Sequence, residues 1–459
     1  MFVLLFFLGI ASRFLLFLGN REANDNHVEV AQRIFASLPV ERENCWECFQ
    51  PKLYHSTIAF IEKLPPTHTL LSFILIGQGL SLVTGILTLV ILWKFFREYG
   101  NNKSSFAALV AFACIVCNPA LIGITVQATN DSFMIFFSTL AVYALWKYLK
   151  RFSFVSAGVI IVSTTLAALS KGSGLAVFLF VFFILLLQIG HLAYYKLAVK
   201  KMVVVFIVFT SIVIFALTAW SPYFHYYVKY GDPFIINIAK PPLPAFFTNT
   251  FVLRPGITSI ASGYFTFRFR DLLAHPYTTH AVTGYTIQRT SFWSQLYGKF
   301  NSIHFENALP EWQNQSEQVL TVTRMIFIFA LPLLALTLFG YIVQVIVLTK
   351  HVMKKTFTYR DFRDHFLFVF FFTAILAMNI LYSYLYRDFA FIRAIFLLPA
   401  IISIGQCLFT GIETLITRLA HHKIITSFLS VYCLLLCCLY LYDVWLLIYQ
   451  LRFAAFALL

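Results

Sequence analysis

The sequence predicts an all-α polytopic membrane protein of about eleven transmembrane helices with two large non-cytoplasmic loops, and three observations support this. Of the 459 residues, 60% are hydrophobic and only 12% charged, with 53 phenylalanines, a composition that excludes a soluble globular chain. Apolar runs of the length a bilayer demands recur near 1–18, 70–93, 105–126, 132–148, 153–170, 174–190, 202–220, 325–349, 366–386, 391–411 and 424–448. The third observation is the spacing of the basic loops between these runs, which fixes one orientation.

Lys94, Arg97 and Lys103 share one loop, and Lys147, Lys150 and Arg151 a second; Lys196, Lys200 and Lys201 form a third. Lys350, Lys354, Lys355, Arg360 and Arg363 make a fourth, and Arg418 and Lys423 a fifth. All of them fall on one side of the membrane, which is then the cytoplasm. The formal net charge of +15 is accounted for by this positive-inside bias, and nucleic acid is not an expected partner. The long polar loops at 19–69 and 221–323 share the opposite face with the turns at Gln127–Asp131, Lys171–Ser173 and Arg387–Asp388. The first apolar run is long enough to span and lacks a small-residue cleavage pattern, so it reads as a retained helix. This divides the chain into a membrane module at 1–220, a large outer loop at 221–323 and carboxy-terminal transmembrane helices at 324–459.

In the first outer loop, Val28, Ala31, Ile34 and Phe35 fall at helical spacing and predict a short amphipathic helix lying on the membrane surface, with Asp25 at its amino end. A carboxylate there is either a chemical group or the helix cap. Cys45-Trp-Glu-Cys48 lies on the oxidising side, where a loop disulfide is expected. The other cysteines fall inside spans and act as small apolar filler. The second outer loop carries turn signals at Gly231-Asp-Pro, Lys240-Pro-Pro and Arg254-Pro-Gly and an aromatic stretch, Ser291-Phe-Trp-Ser-Gln-Leu-Tyr-Gly298. Its length suits a segment that covers a site. An Asn-x-Ser sequon stands at Asn314.

Polar residues at the outer ends of several spans converge on one face: Asp25, Asn26, His27, Glu29, Lys52, His55, Asn130, Asp131, Lys171, Arg387, Asp388 and Arg393. Ionisable groups at membrane depth are costly, so such a gathering indicates a site. A transporter cavity fits the same observation, but transporters place substrate groups at mid-span, whereas no member of this set sits there.

The motif order carries a resemblance. An acidic motif opens the first outer loop at Asp25-Asn26, followed by Pro51-Lys52-Leu53-Tyr54, then Asn130-Asp131, Lys171-Gly172 and Arg393-Ala-Ile-Phe-Leu-Leu-Pro399. This order resembles the GT-C superfamily of polyprenyl-phosphate-sugar glycosyltransferases, and within it the branch of protein O-mannosyltransferases and aminoarabinose transferases. The likeness covers 1–220 well, and the carboxy-terminal half mainly in topology and in the motif ending at Pro399. Where the family has Asp-Glu this chain has Asp25-Asn26, which leaves Asp25 as the main candidate base; where the family has Pro-Pro-Leu-Tyr, Lys52 replaces the second proline.

The resemblance implies transfer of a sugar from a polyprenyl- or dolichyl-phosphate donor to a protein, lipid or glycan acceptor on the lumenal or periplasmic side. The membrane is that of the endoplasmic reticulum in a eukaryote and the inner membrane in a bacterium. In this reading Asp25 takes the acceptor proton. Lys52, Lys171, Arg387 and Arg393 meet the donor phosphate. Asn26, His27, Glu29, Tyr54, His55 and Asp131 bind substrate or metal, and Asp25 with Asp131 are the candidates for holding a divalent Mg or Mn ion. Two other classes stay open: a lipid-linked-sugar flippase or secondary transporter, and a non-catalytic subunit of the same fold, the latter because Asn26 stands where the family has Glu.

Overall fold

The computed structural model describes residues 1–21, 26–64, 68–101, 103–194, 198–216, 220–231, 263–274, 276, 291–305, 312, 316–386, 394–418 and 422–457. Among them there is no β-strand, and the described parts of the apolar runs read from the sequence are mainly helical. The first apolar helices are α1 (Phe2–Gly19), α4 (Leu70–Asn101), α5 (Ser105–Val116), α7 (Asp131–Lys150), α8 (Phe154–Ser170), α9 (Gly174–Tyr194) and α10 (Ala198–Ile214). Outside these lie α2 (His27–Phe35), α3 (Leu53–Glu62), α6 (Pro119–Ile124) and α11 (Trp220–Tyr230). The later helices are α12 (Phe269–Ala274), α13 (Phe292–Asn301), α14 (Glu317–Met353), α15 (Leu367–Tyr386), α16 (Ile401–Arg418) and α17 (His422–Ala457). By length and composition, seven segments can cross a membrane: Phe2–Gly19, Leu70–Asn101, Asp131–Lys150, Glu317–Met353, Tyr359–Ser383, Leu398–Arg418 and Lys423–Leu451. Ser105–Val116, Phe154–Ser170 and Gly174–Ile189 are shorter apolar helices.

The run expected to span at 105–126 is broken, and the reason is local. Pro119 has no N–H to donate and disfavours helical backbone at the residue before it. Helix α5 therefore stops at Val116, and Asn118 restarts the chain as the cap of α6. Its side chain accepts from Leu121 N at 2.9 Å and donates to the Phe300 carbonyl at 2.8 Å, which ties this break to α13.

Two buried ionisable groups, both missed from sequence, lie inside spans. Arg13 on α1 is fully buried, and its guanidinium donates to Thr125 Oγ1 (3.1 Å), to the Gly9 carbonyl (2.8 Å) and to the Val116 carbonyl (3.2 Å). It uses the carbonyls freed where α5 ends. Asp443 on α17, also fully buried, accepts from Ile303 N at 3.0 Å and lies 3.5 Å from His304 Nε2, pinning the end of the second outer loop to the last helix. Each is anchored by hydrogen bonds that offset part of the cost of burial in apolar surroundings, though Arg13 Nη2 and Asp443 Oδ1 make none.

Helices α14 and α16 meet through glycines. A Cβ added at Gly340 would lie 1.9 Å from the Cys407 carbonyl oxygen, and one at Gly411 would lie 2.1 Å from that of Leu336. Small residues let membrane helices approach to backbone contact. Because backbone blocks the added atom, no rotamer change relieves it. Gly340→Ala should lower unfolding stability in detergent by ~1–3 kcal/mol, whereas Gly158→Ala on α8, with nothing within 4 Å of the added carbon, should leave it unchanged or raised. Thermal unfolding of the two variants beside the parent checks this; equal behaviour would mean that α14 and α16 do not cross at Gly340.

Candidate active site

The amphipathic pattern after Asp25 does form a helix, α2, but its apolar face is not turned to lipid as expected. Val28 and Ala31 pack with Tyr54 and Ile58 of α3, Phe73 and Ile74 of α4, and Ala128 and Phe133. Protein contact buries this face because the outer ends of α4 and α7 supply a ready apolar surface. The cap position of α2 is held by Asn26 in a left-handed conformation (φ 58°), with no side-chain cap bond. Asp25 itself lies outside the described residues, as do Arg387, Asp388 and Arg393.

Packing α2 on α3 brings two imidazoles together. His27 Nδ1 and His55 Nε2 are 3.0 Å apart, with rings stacked at 5.3 Å between centroids, and both residues are buried. Only one nitrogen of such a contact can carry the shared proton. Burial pushes the His55 pKa well below the ordinary imidazole value, and the charges of His27, Lys52 and Lys171 push the same way. His55 is therefore neutral at physiological pH. Lys52, just ahead of α3, donates to the Cys48 carbonyl; burial lowers its pKa to about 8, opposed by the Glu47 carboxylate.

On the neighbouring elements, Asp131 opens α7 and Lys171 follows α8. Lys171 Nζ meets Asp131 Oδ1 at 2.6 Å, with the two side chains 12% and 7% exposed. Thr129 donates to the other carboxylate oxygen at 3.1 Å, and Asn130 Nδ2 donates to the Ser170 carbonyl at 3.0 Å, a second tie between the same helix ends. The Lys171 ammonium also lies 5.1 Å from the ring centre of Phe396. Through Phe396, the motif that begins at Arg393 reaches this cluster. A hydroxyl network joins the helices behind it: Tyr54 donates to the Gly77 carbonyl at 2.8 Å, and Ser132 Oγ lies 2.9 Å from Ser81 Oγ.

Helix α11 packs against the first outer loop. Tyr223 donates to the Ala168 carbonyl at 2.8 Å, Tyr226 to the Cys48 carbonyl at 3.5 Å and Tyr230 to Glu43 at 2.6 Å, while Lys229 pairs with Glu41. Cys45 and Cys48 are disulfide-bonded, the loop disulfide read from the sequence. The start of the second outer loop thus braces the segment that presents Lys52.

Of the residues named from sequence, His27, Lys52, Tyr54, His55, Asp131 and Lys171 gather at one end of the bundle. Glu29 instead pairs with Arg33 at 3.1 Å on the partly exposed side of α2. Thr129, Ser81, Ser132 and Phe396 were not singled out; the places of Thr129 inside the Gln127–Asp131 turn and of Phe396 inside the motif ending at Pro399 were the signals on offer. The described residues do not fit a divalent metal, because Lys171 and Thr129 occupy the Asp131 oxygens and no group of three or more His, Cys, Asp or Glu stands together among them.

A nearly buried ion pair is costly to break from one side, because the remaining charge has no partner. Asp131→Asn should destabilise the protein by ~3 kcal/mol, and adding Lys171→Met should restore most of that loss. Unfolding midpoints of the single and double variants test this; a double variant no more stable than Asp131→Asn would remove the pair from its structural role.

Residues 78–230 match the family model described as dolichyl-phosphate-mannose-protein mannosyltransferase. No curated protein sequence matches the chain. Among solved structures, ArnT from Cupriavidus metallidurans bound to undecaprenyl phosphate aligns over 90% of this chain and 77% of that one, at 12% identity and a TM-score of 0.36, a likeness too loose to carry an argument. The resemblance to polyprenyl-phosphate-sugar glycosyltransferases is borne out where Asp131 and Lys171 stand, for across residues 78–230 the chain matches the dolichyl-phosphate-mannose-protein mannosyltransferase family.

Proposed function

We propose that the chain is an integral-membrane glycosyltransferase that moves a sugar, mannose or another hexose, from a polyprenyl- or dolichyl-phosphate donor to an acceptor on the lumenal or periplasmic side. The observation that carries this reading is the Asp131–Lys171 pair, which lies within the family match and beside the buried His27–His55 pair and Lys52.

The chemistry follows from the charges. As the glycosidic bond to the donor breaks, negative charge grows on the departing phosphate, and preformed cations stabilise it most where water is scarce. Lys171, held in place by Asp131, is one such cation; Lys52 is a second, its ammonium favoured when a phosphate arrives. Arg393, three residues before the ring that meets Lys171, is the proposed bidentate partner of the phosphate. The His27–His55 pair holds α2 against α3 and so positions the segment just after Asp25. Asp25 takes the proton of the acceptor hydroxyl or amine. No step requires a metal.

Incubating the purified protein with labelled dolichyl- and undecaprenyl-phosphate sugars and candidate acceptors tests the assignment. The expected result is labelled acceptor together with free polyprenyl phosphate, and a fall of ~10²–10⁴-fold in Asp25→Asn. Retained turnover in that variant would exclude Asp25 as the base, and absence of transfer from every donor would count against the reading as a whole.

A pH profile tests Lys52. Its depressed pKa leaves the ammonium fully present only below about 8, so kcat/KM for the donor should fall as pH rises through that value. In Lys52→Arg, whose charge persists, the fall should disappear. An unchanged profile in that variant would separate Lys52 from the phosphate.

A further inference from the structure

The loops assigned to the cytoplasmic side meet around a cavity that the transfer reaction does not use. The cavity has a volume of about 400 Å³ and lies where α4 and α7 end and the chain approaches α15. Helix α7 runs from Asp131 to Lys150 and α4 passes from Gly77 to Tyr99, so at 1.5 Å per residue this cavity lies roughly 30 Å from the candidate active site. The two sites occupy opposite ends of the same helices.

Four cations line the cavity, Lys103, Lys150, Arg360 and Arg363, against one carboxylate, Asp364. That carboxylate is already committed. Arg363 grips it through two bonds of 2.7 Å, and Trp146 Nε1 donates to it at 3.3 Å. Arg360 stands 3.7 Å from Asp364, with its side chain 71% exposed. Lys103 lies 4.7 Å from the ring centre of Tyr99 and Lys150 5.1 Å from that of Trp146, so aromatic faces hold both ammonium groups at the cavity wall. Of the acids nearby, Glu98 pairs with Lys147 at 2.8 Å. Positive-inside topogenesis explains why these loops are basic. It does not require residues from three loops to enclose one cavity around a neutralised carboxylate and an aromatic wall.

We propose that this cavity binds a phosphate-bearing anion on the face opposite the candidate active site, with Lys103, Lys150 and Arg360 as its charge partners. The guanidinium of Arg360 supplies a fork for phosphate oxygens, and the lysines supply point charges. Such chemistry is offered either by the headgroup of an anionic lipid in the adjacent leaflet or by a soluble phosphate compound. A bound anion would tie together the loop after α4, the loop after α7 and the segment before α15.

The test compares the parent with Lys150→Gln/Arg360→Gln. Lys150 and Arg360 are exposed, so the substitutions leave the Asp364 contacts to Arg363 and Trp146 in place. Thermal unfolding is followed in phosphatidylcholine nanodiscs, in nanodiscs that also contain a phosphatidylinositol phosphate, and in plain nanodiscs with added sodium pyrophosphate. The midpoint of the parent should rise with added anion, whereas the double variant should bind more weakly, by about fivefold for each cation removed. The charge-keeping variant Lys150→Arg, with Arg360 left in place, should behave as the parent does. A rise with the lipid alone identifies a headgroup site, and a rise with pyrophosphate as well identifies a soluble anion. No rise with either probe would overturn the proposal, and so would an equal rise in the double variant, which would place the anion elsewhere. No sugar donor enters the experiment, so its outcome is independent of the transferase reading.

Discussion

The pairing of Asp131 with Lys171 is the contact on which the outer end of the bundle depends. It closes the start of α7 against the end of α8, two antiparallel neighbours, with a 2.6 Å contact between charges that water scarcely reaches. A carboxylate in the first turn of a helix is favoured by the helix dipole, and the lysine completes the neutralisation. Around this pair the other components take their places. Asn130 reinforces the α7–α8 junction, Thr129 holds the second carboxylate oxygen, and Phe396 brings the chain ahead of α16 onto the ammonium. The hydroxyl chain of Tyr54, Ser81 and Ser132 then locks α3 to α4 and α7, which sets where the His27–His55 pair sits.

Charge in this molecule is sorted to the ends of helices, and the two ends are put to different uses. Helices α4 and α7 are mainly apolar between their ends and carry the candidate active-site groups at one terminus and the basic cavity at the other. Ionisable groups within spans are held by hydrogen bonds to nearby backbone, as for Arg13 against the Val116 carbonyl at the end of α5 and Asp443 against the backbone at Ile303. At the outer end the cost is partly kept rather than cancelled. Burial leaves Lys52 with a weakened hold on its proton and His55 neutral, a state that an arriving phosphate would relieve.

Much of this was legible in the sequence, for identifiable reasons. Period and length located the helices, and Pro119 broke the span expected at 105–126. The motif order at Lys52, Asp131 and Lys171 singled out residues that the fold does bring to one end. The spacing of Glu29 and Arg33, four residues apart on a helix, already contained the ion pair that occupies Glu29. What stayed hidden depends on contacts between distant residues. Nothing local to Arg13 points to Thr125, nothing near Asp443 points to His304, and the loops holding Lys103, Lys150 and Arg360 gave a side of the membrane but not a shared cavity. The face of α2 was misassigned because an amphipathic pattern is the same whether lipid or protein covers it.

The account's central claim is that the donor phosphate is met at the Asp131–Lys171 end of the bundle, between Lys52 and Lys171. An experimental structure of the protein with polyprenyl phosphate bound tests this most directly. The account predicts phosphate oxygens within hydrogen-bonding distance of Lys171 Nζ, with Lys52 on the same anion and the lipid tail leaving between helices at that end. A phosphate bound away from both lysines, with the Asp131–Lys171 pair unaltered and closed to it, would contradict the claim.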